Sequence, residues 1–99
     1  MQIKEVESRV GMRRSNIRYY EKEGLLDLTR RDENNYREYT EEDIEQLLRI
    51  KVLRILEVSM EEIRVHKNDK SKLNEIIKER MQNFQILVDK VIADNNKAR

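Results

Sequence analysis

Residues 3–26 read IKEVESRVGMRRSNIRYYEKEGLL, and this stretch decides the architecture. Ile3, Val6 and Val10 recur at steps of three and four, which is one face of a helix. Gly11 follows, a residue that tolerates the left-handed backbone at a helix end. A second helix is predicted from about Arg13 to Glu23, with Ile17 and Tyr20 turned inward and Gly24 ending it. Two short helices joined by a glycine-containing turn make a helix-turn-helix pattern.

Outward from this pair, residues 25–39 read LLDLTRRDENNYREY. Apolar and polar residues alternate loosely around Asp32-Glu33-Asn34-Asn35, and asparagine tolerates positive φ, so a β-hairpin is predicted. Arginines stand on both of its arms. Thr40 is a good N-cap for a third helix whose first turn carries Glu41, Glu42 and Asp43, a charge that suits the helix dipole. That helix holds Ile44, Leu47, Leu48, Ile50, Val52, Leu53, Ile55 and Leu56. Its second half is apolar nearly all round and should be covered on more than one side. Ser59 and Glu62 form the pattern of a reciprocal capping box, opening a short fourth helix that ends near residues 67–69.

From about Lys70 to Asn95 there is neither glycine nor proline. Ile77, Met81, Phe84, Val88 and Val91 alternate in steps of four and three, a heptad seam with Asn74 and Asn95 in phase at its ends. Leu73, Ile76, Leu87 and Ile92 widen the apolar face. Such a seam covers either the chain's own core or a partner helix, and its width on a terminal helix favours a partner. The asparagines either set register or are solvated ends.

Composition agrees with an assembly. Of 99 residues, 41% are charged and only 37% hydrophobic, so a monomer of this size buries a modest core. There is no cysteine, which excludes disulfides, thiolate metal sites and cysteine nucleophiles. The single histidine, His66, cannot build a histidine cluster, and no metal or cofactor is expected. Glu41-Glu42 and Glu61-Glu62 fall in first turns of helices, where the dipole accounts for them, and no catalytic constellation is visible. No run is apolar enough to span a membrane, and the opening residues do not read as a signal peptide, so a cytoplasmic protein is expected. Net charge is +1, but arginines cluster at 13, 14 and 18 and again at 30, 31 and 37. Phosphate contacts depend on such local patches more than on total charge.

In order and in residues, IKEVESRVG, IRYYEKEGLL, RRDENNYREYTEEDIEQL and VSMEEI resemble the MerR family of bacterial transcription regulators, over residues 2 to about 65. The helix beyond Lys70 is similar in position and character to that family's dimerisation helix, which packs antiparallel across a dimer axis. The resemblance implies a mostly α fold: a winged helix-turn-helix DNA-binding domain at residues 1–68, and a dimerisation helix at 69–99. It also implies a homodimer on a pseudo-palindromic promoter site in double-stranded DNA, which it bends and untwists, with RNA polymerase as a further partner. Three departures stand out. Arg13 replaces the usual Ser or Thr, which implies a recognition helix lacking its N-cap or starting at Ser15. Asn34-Asn35 replaces Asn-Gly in the wing turn, and Glu57-Val58 lacks the glycine common before Ser59.

The expected DNA-binding residues follow. On the second helix these are Arg14, Ser15, Asn16, Arg18, Tyr19 and Lys22, near the end that enters a major groove. Arginine suits guanine edges and phosphates alike through its planar fork. On the wing they are Arg30, Arg31, Asn35, Tyr36 and Arg37, placed for phosphate or minor-groove contact. A solvated basic face and a cross-strand packing role for Tyr36 are the bland counterparts, and Tyr39 reads as core. The dimerisation residues are Ile77, Met81, Phe84, Val88 and Val91. Two other functions stay open at this point: an architectural DNA protein using a similar module, and a coiled-coil adaptor without DNA binding.

Overall fold

A computed structural model describes residues 1–27 and 31–97. Five helices follow in order: α1 (Ile3–Val10), α2 (Arg14–Lys22), α3 (Glu41–Ile55), α4 (Met60–His66) and α5 (Lys70–Lys97). Each lies within two residues of its predicted place. Gly11 ends α1 at φ 65°, and its N–H donates to the Glu7 carbonyl at 3.0 Å. Gly24 ends the α2 turn at φ 78°, where the Leu25 N–H reaches back to the Tyr20 carbonyl at 2.9 Å.

Two helix starts differ in detail from expectation. The reciprocal capping box forms at α3, where Thr40 Oγ1 accepts from the Asp43 N–H and Asp43 Oδ2 accepts from the Thr40 N–H at 2.8 Å. At α4 Ser59 Oγ accepts from the Glu62 N–H at 3.1 Å, while the Glu62 carboxylate stands 4.0 Å from Arg80. A long charged partner within reach offers Glu62 an alternative to the helix start.

The α3–α4 corner closes without glycine. Glu57 takes φ 64°, the Glu57 N–H donates to the Arg54 carbonyl and the Val58 N–H to the Leu53 carbonyl at 3.0 Å. This is a Schellman turn, with Val58 and Leu53 both fully buried beneath it.

The core has two parts sharing α3. Val6, Val10, Ile17, Leu26, Tyr39, Ile44 and Leu47 form the first, beneath the helix-turn-helix. Leu25, Ile50, Leu53, Val58, Ile63, Leu73 and Ile76 form the second, where α3, α4 and the start of α5 meet. Half-buried Tyr20 packs against both. Each fully buried Leu or Ile contributes roughly 2 kcal/mol of transfer free energy.

The expected hairpin is reduced, among the described residues, to one antiparallel bridge between Arg31 and Arg37. Asp32 organises its tip. One carboxylate oxygen accepts from the N–H groups of Asn34 at 2.9 Å and Tyr36 at 3.0 Å, and the Asp32 N–H donates to the Tyr36 carbonyl at 2.8 Å. Asn35 takes φ 65°, as the Asn-Asn turn required.

The described chain extends over 66 × 25 × 19 Å because α5 projects. Its 28 residues make a rod roughly 42 Å long at 1.5 Å per residue. Leu73 and Ile76 are buried against the chain's own core and Ile77 packs partly on it. Met81, Phe84, Val88 and Val91 are exposed, with Leu87 and Ile92 beside them. The apolar second half of α3 is covered on one side only: Leu48, Val52 and Ile55 remain exposed within the single chain.

Candidate nucleic-acid interface

The site is assembled from α2, the start of α1 and the wing. α2 begins at Arg14 rather than Ser15, and Arg13 at its N-cap position makes no side-chain cap bond. A residue of α1 supplies the missing acceptor. Glu7 Oε2 accepts from the Arg14 backbone N–H at 3.0 Å and Glu7 Oε1 from Arg14 Nε at 3.0 Å. These bonds, the side-chain one foremost, hold the Glu7 carboxyl below its ordinary value of 4.5.

Ile17 is fully buried, which anchors α2 and turns its other faces outward. Arg14, Arg18 and Lys22 follow at four-residue steps along one exposed row, with Ser15 and Tyr19 exposed beside it. The Tyr19 and Tyr20 rings stand 6.0 Å apart at 53°. Asn16 lies apart, on a second groove shared with Arg13, Lys51 and Arg54.

Residues 37–39, which follow the bridge, are fastened to α2 and to Met1. Glu21, near the end of α2, accepts from the Tyr39 hydroxyl at 2.7 Å and pairs with Arg37 at 3.3 Å. Burial raises the Tyr39 phenol well above its ordinary value, with the Glu21 carboxylate adding to it. The Tyr39 N–H donates to the Met1 carbonyl at 2.8 Å. Tyr39 is 1% exposed, as its core reading required, whereas Tyr36 is 63% exposed. Arg31 Nη1 donates to the Asn35 carbonyl at 3.2 Å, bracing the tip.

Between these elements runs an open groove of about 780 Å³. It is lined by Arg14 and Arg18 of α2, Arg31, Asn35, Tyr36 and Arg37 of the wing, Gln2, Ile3 and Lys4 of the N-terminal segment, and Tyr39 at its base. Six of the expected residues therefore share one cleft, and Ser15, Tyr19 and Lys22 lie on the adjoining face of α2. Arg30 lies outside the described residues. Gln2 and Lys4 were not singled out in the sequence. The one available signal was a cation in the first turn of α1, which acquires meaning only once Met1 and Tyr39 are seen to bond. Among the described residues no group of acidic or imidazole side chains is gathered as a metal site, and no helix is long and apolar enough to cross a membrane.

A helix-turn-helix whose second helix shares an arginine-lined cleft with the turn at residues 31–37 defines the class, a helix-turn-helix protein. Residues 1–69 match the MerR HTH family of regulatory proteins, and the chain belongs to that family. It is 36% identical over 64 residues, 65% of its length and 47% of the relative's, to an HTH-type transcriptional regulator ZntR homolog of Haemophilus influenzae. It is 28% identical over 86 residues, 87% of its length and 36% of the relative's, to nodulation protein NolA of Bradyrhizobium sp.. The chain thus spans between about a third and a half of these relatives' lengths.

Solved structures share the fold. A MerR family transcriptional regulator from Listeria monocytogenes superposes with TM-score 0.73 at 22% identity, covering 98% of this chain and 79% of that one. HiNmlR, a MerR family regulator lacking the sensor domain and bound to promoter DNA, gives 0.70 at 19% identity, covering 92% of this chain and 78% of that one. PbrR691 from Ralstonia metallidurans, in complex with lead(II), gives 0.64 at 25% identity, covering 98% and 81%.

Proposed function

We propose that this chain is a sequence-specific transcriptional regulator acting in the cytoplasm. It binds a pseudo-palindromic promoter site as a homodimer and distorts the DNA there, with RNA polymerase as its partner at the promoter. Residues 1–68 form the DNA-binding domain and residues 69–99 the dimerisation helix. The observation that carries this reading is the shared cleft of Arg14, Arg18, Arg31 and Arg37 between α2 and the wing.

In the proposed complex α2 enters the major groove. Arg14, Ser15, Asn16, Arg18, Tyr19 and Lys22 meet base edges and phosphates from it. The wing residues Arg30, Arg31, Asn35, Tyr36 and Arg37 grip the flanking backbone, setting register without reading sequence. The exposed apolar residues Met81, Phe84, Val88 and Val91, continued by Ile77, meet a second α5, so that two reading units address two half-sites.

Fluorescence-anisotropy titration of promoter DNA at several salt concentrations tests the proposal. Expected is specific binding whose logarithmic affinity falls linearly with the logarithm of salt, because each neutralised phosphate releases counterions. Binding with no salt dependence, or none above that of unrelated duplex, overturns it.

A further inference from the structure

We infer that Glu7 is a positioning residue that sets base specificity: it holds Arg14 so that the outer end of the guanidinium reads a guanine edge rather than a phosphate. The inference rests on the DNA-binding reading above and deepens it by assigning one base contact.

Arg14 stands in a costly place. It is the first residue of α2, whose first turn holds no acidic residue. A cation there faces the positive end of the helix dipole. Glu7 offsets this from α1, and uses both of its oxygens. Oε2 accepts from the Arg14 backbone N–H at 3.0 Å, while Oε1 accepts from Arg14 Nε at 3.0 Å and stands 2.9 Å from Nη2. Nε and Nη2 make up the lateral edge of the planar guanidinium. That edge is therefore bonded to a carboxylate that is itself tied to the backbone of α2, and the group is fixed in direction.

The end edge is left over: one N–H of Nη1 and one of Nη2, pointing away from Glu7. The Arg14 side chain is half exposed and lines the cleft between α2 and the turn at residues 31–37. It also sits at the N-terminal end of the second helix, the part of such a helix that meets base edges. Two parallel N–H donors match the O6 and N7 acceptors of guanine. A fork held in advance loses less freedom on binding than a free one.

Charge decides between base and phosphate. The Glu7–Arg14 pair carries no net charge, so it attracts a phosphate weakly, and the carboxylate repels any phosphate brought to the start of α2. The guanine edge is uncharged. Its hydrogen bonds to the end of the fork suffer no such loss.

Selection from a random-sequence duplex library by the parent chain supplies its preferred site. Each guanine in that site is then replaced by 7-deazaguanine, which lacks the N7 acceptor. Fluorescence anisotropy at neutral pH compares the parent with Glu7→Gln, Arg14→Lys and the double variant, each confirmed as folded by circular dichroism. Glu7→Ala is run beside Glu7→Gln with the same expectations, so that the answer does not hang on the folding of one variant. In the parent, 7-deazaguanine at one position of each half-site should weaken binding about tenfold. Glu7→Gln should reduce that penalty several-fold and bind unrelated duplex more tightly, because the released arginine then serves phosphates. In Arg14→Lys the penalty should be gone already, and adding Glu7→Gln should change it no further. Glu7 variants that weaken preferred and unrelated duplex alike overturn the positioning role. A parent with a preferred site whose 7-deazaguanine sensitivity is absent, or survives Arg14→Lys, overturns the base contact and leaves the regulator reading standing. A parent with no preferred sequence overturns that reading and this inference together.

Discussion

The carboxylate of Glu7 on α1 caps the first backbone N–H of α2, that of Arg14, at 3.0 Å and takes the Arg14 side chain with its other oxygen. One residue thus supplies the N-cap that Arg13 lacks and also fixes the direction in which an expected DNA-facing arginine leaves the helix. The first prediction concerns this pair. A carboxyl whose value is lowered on folding stabilises the fold at pH above its ordinary 4.5, and the contribution fades as pH falls through the lowered value. Glu7→Gln should therefore melt lower than the parent at neutral pH, with the gap closing on acidification below 4.5. Circular-dichroism melts across that range check it, and a constant gap would refute the ionic part of the cap.

Glu57 sits at φ 64° in the turn between α3 and α4, a conformation costly for a residue with a Cβ. Glu57→Gly should stabilise the chain by about 0.5–1 kcal/mol, after allowing for the freedom glycine adds to the unfolded state. Thermal or urea unfolding reads this directly, and an unchanged or lowered midpoint counts against relief of strain at that turn.

Arg18 lines the cleft from the exposed row of α2. Arg18→Ala should weaken promoter binding by about 1–3 kcal/mol, the worth of one good base or phosphate pairing. An anisotropy titration decides whether the loss is specific. Equal weakening on unrelated duplex marks a phosphate contact, selective weakening marks a base contact, and no change removes Arg18 from the interface.

Phe84 is 39% exposed on the projecting part of α5, beyond the turns that pack on the core. Phe84→Asp should leave the helical content intact and abolish the dimer, since a carboxylate placed in an apolar seam must be desolvated. Sedimentation velocity measures the state. Promoter affinity should fall with it, because two half-sites then lose their linked readers.

Much of this is legible in the sequence, for identifiable reasons. Helix limits follow from capping residues and from Gly11 and Gly24, which act within a few residues. Ile17 inward and Arg14, Arg18 and Lys22 outward follow from the period of 3.6 alone. The acidic first turn after Thr40 signals a helix start, while the part of Asp43 in closing the box shows only in the structure. The Ser59-to-Glu62 spacing suggests a reciprocal box, but pairing of Glu62 with Arg80 is invisible to a local pattern. Cover on more than one side of the back half of α3 was expected; in the single chain Ile50 and Leu53 are buried while Leu48 and Val52 are open. Apolarity along a helix states that a face wants cover without naming the chain that provides it.

By itself the sequence determined what acts locally: five helices, their stops, the turn at Asn34-Asn35 and the apolar seam of α5. Tertiary structure alone decided the relationships between distant residues. Glu7 became the cap of α2, Glu21 the tie between Tyr39 and Arg37, and Gln2 and Lys4 walls of the arginine cleft. The physical reason is range. Backbone preference and helical period act over a turn or two, whereas a carboxylate is committed to one arginine or another only when folding brings them within about 3 Å.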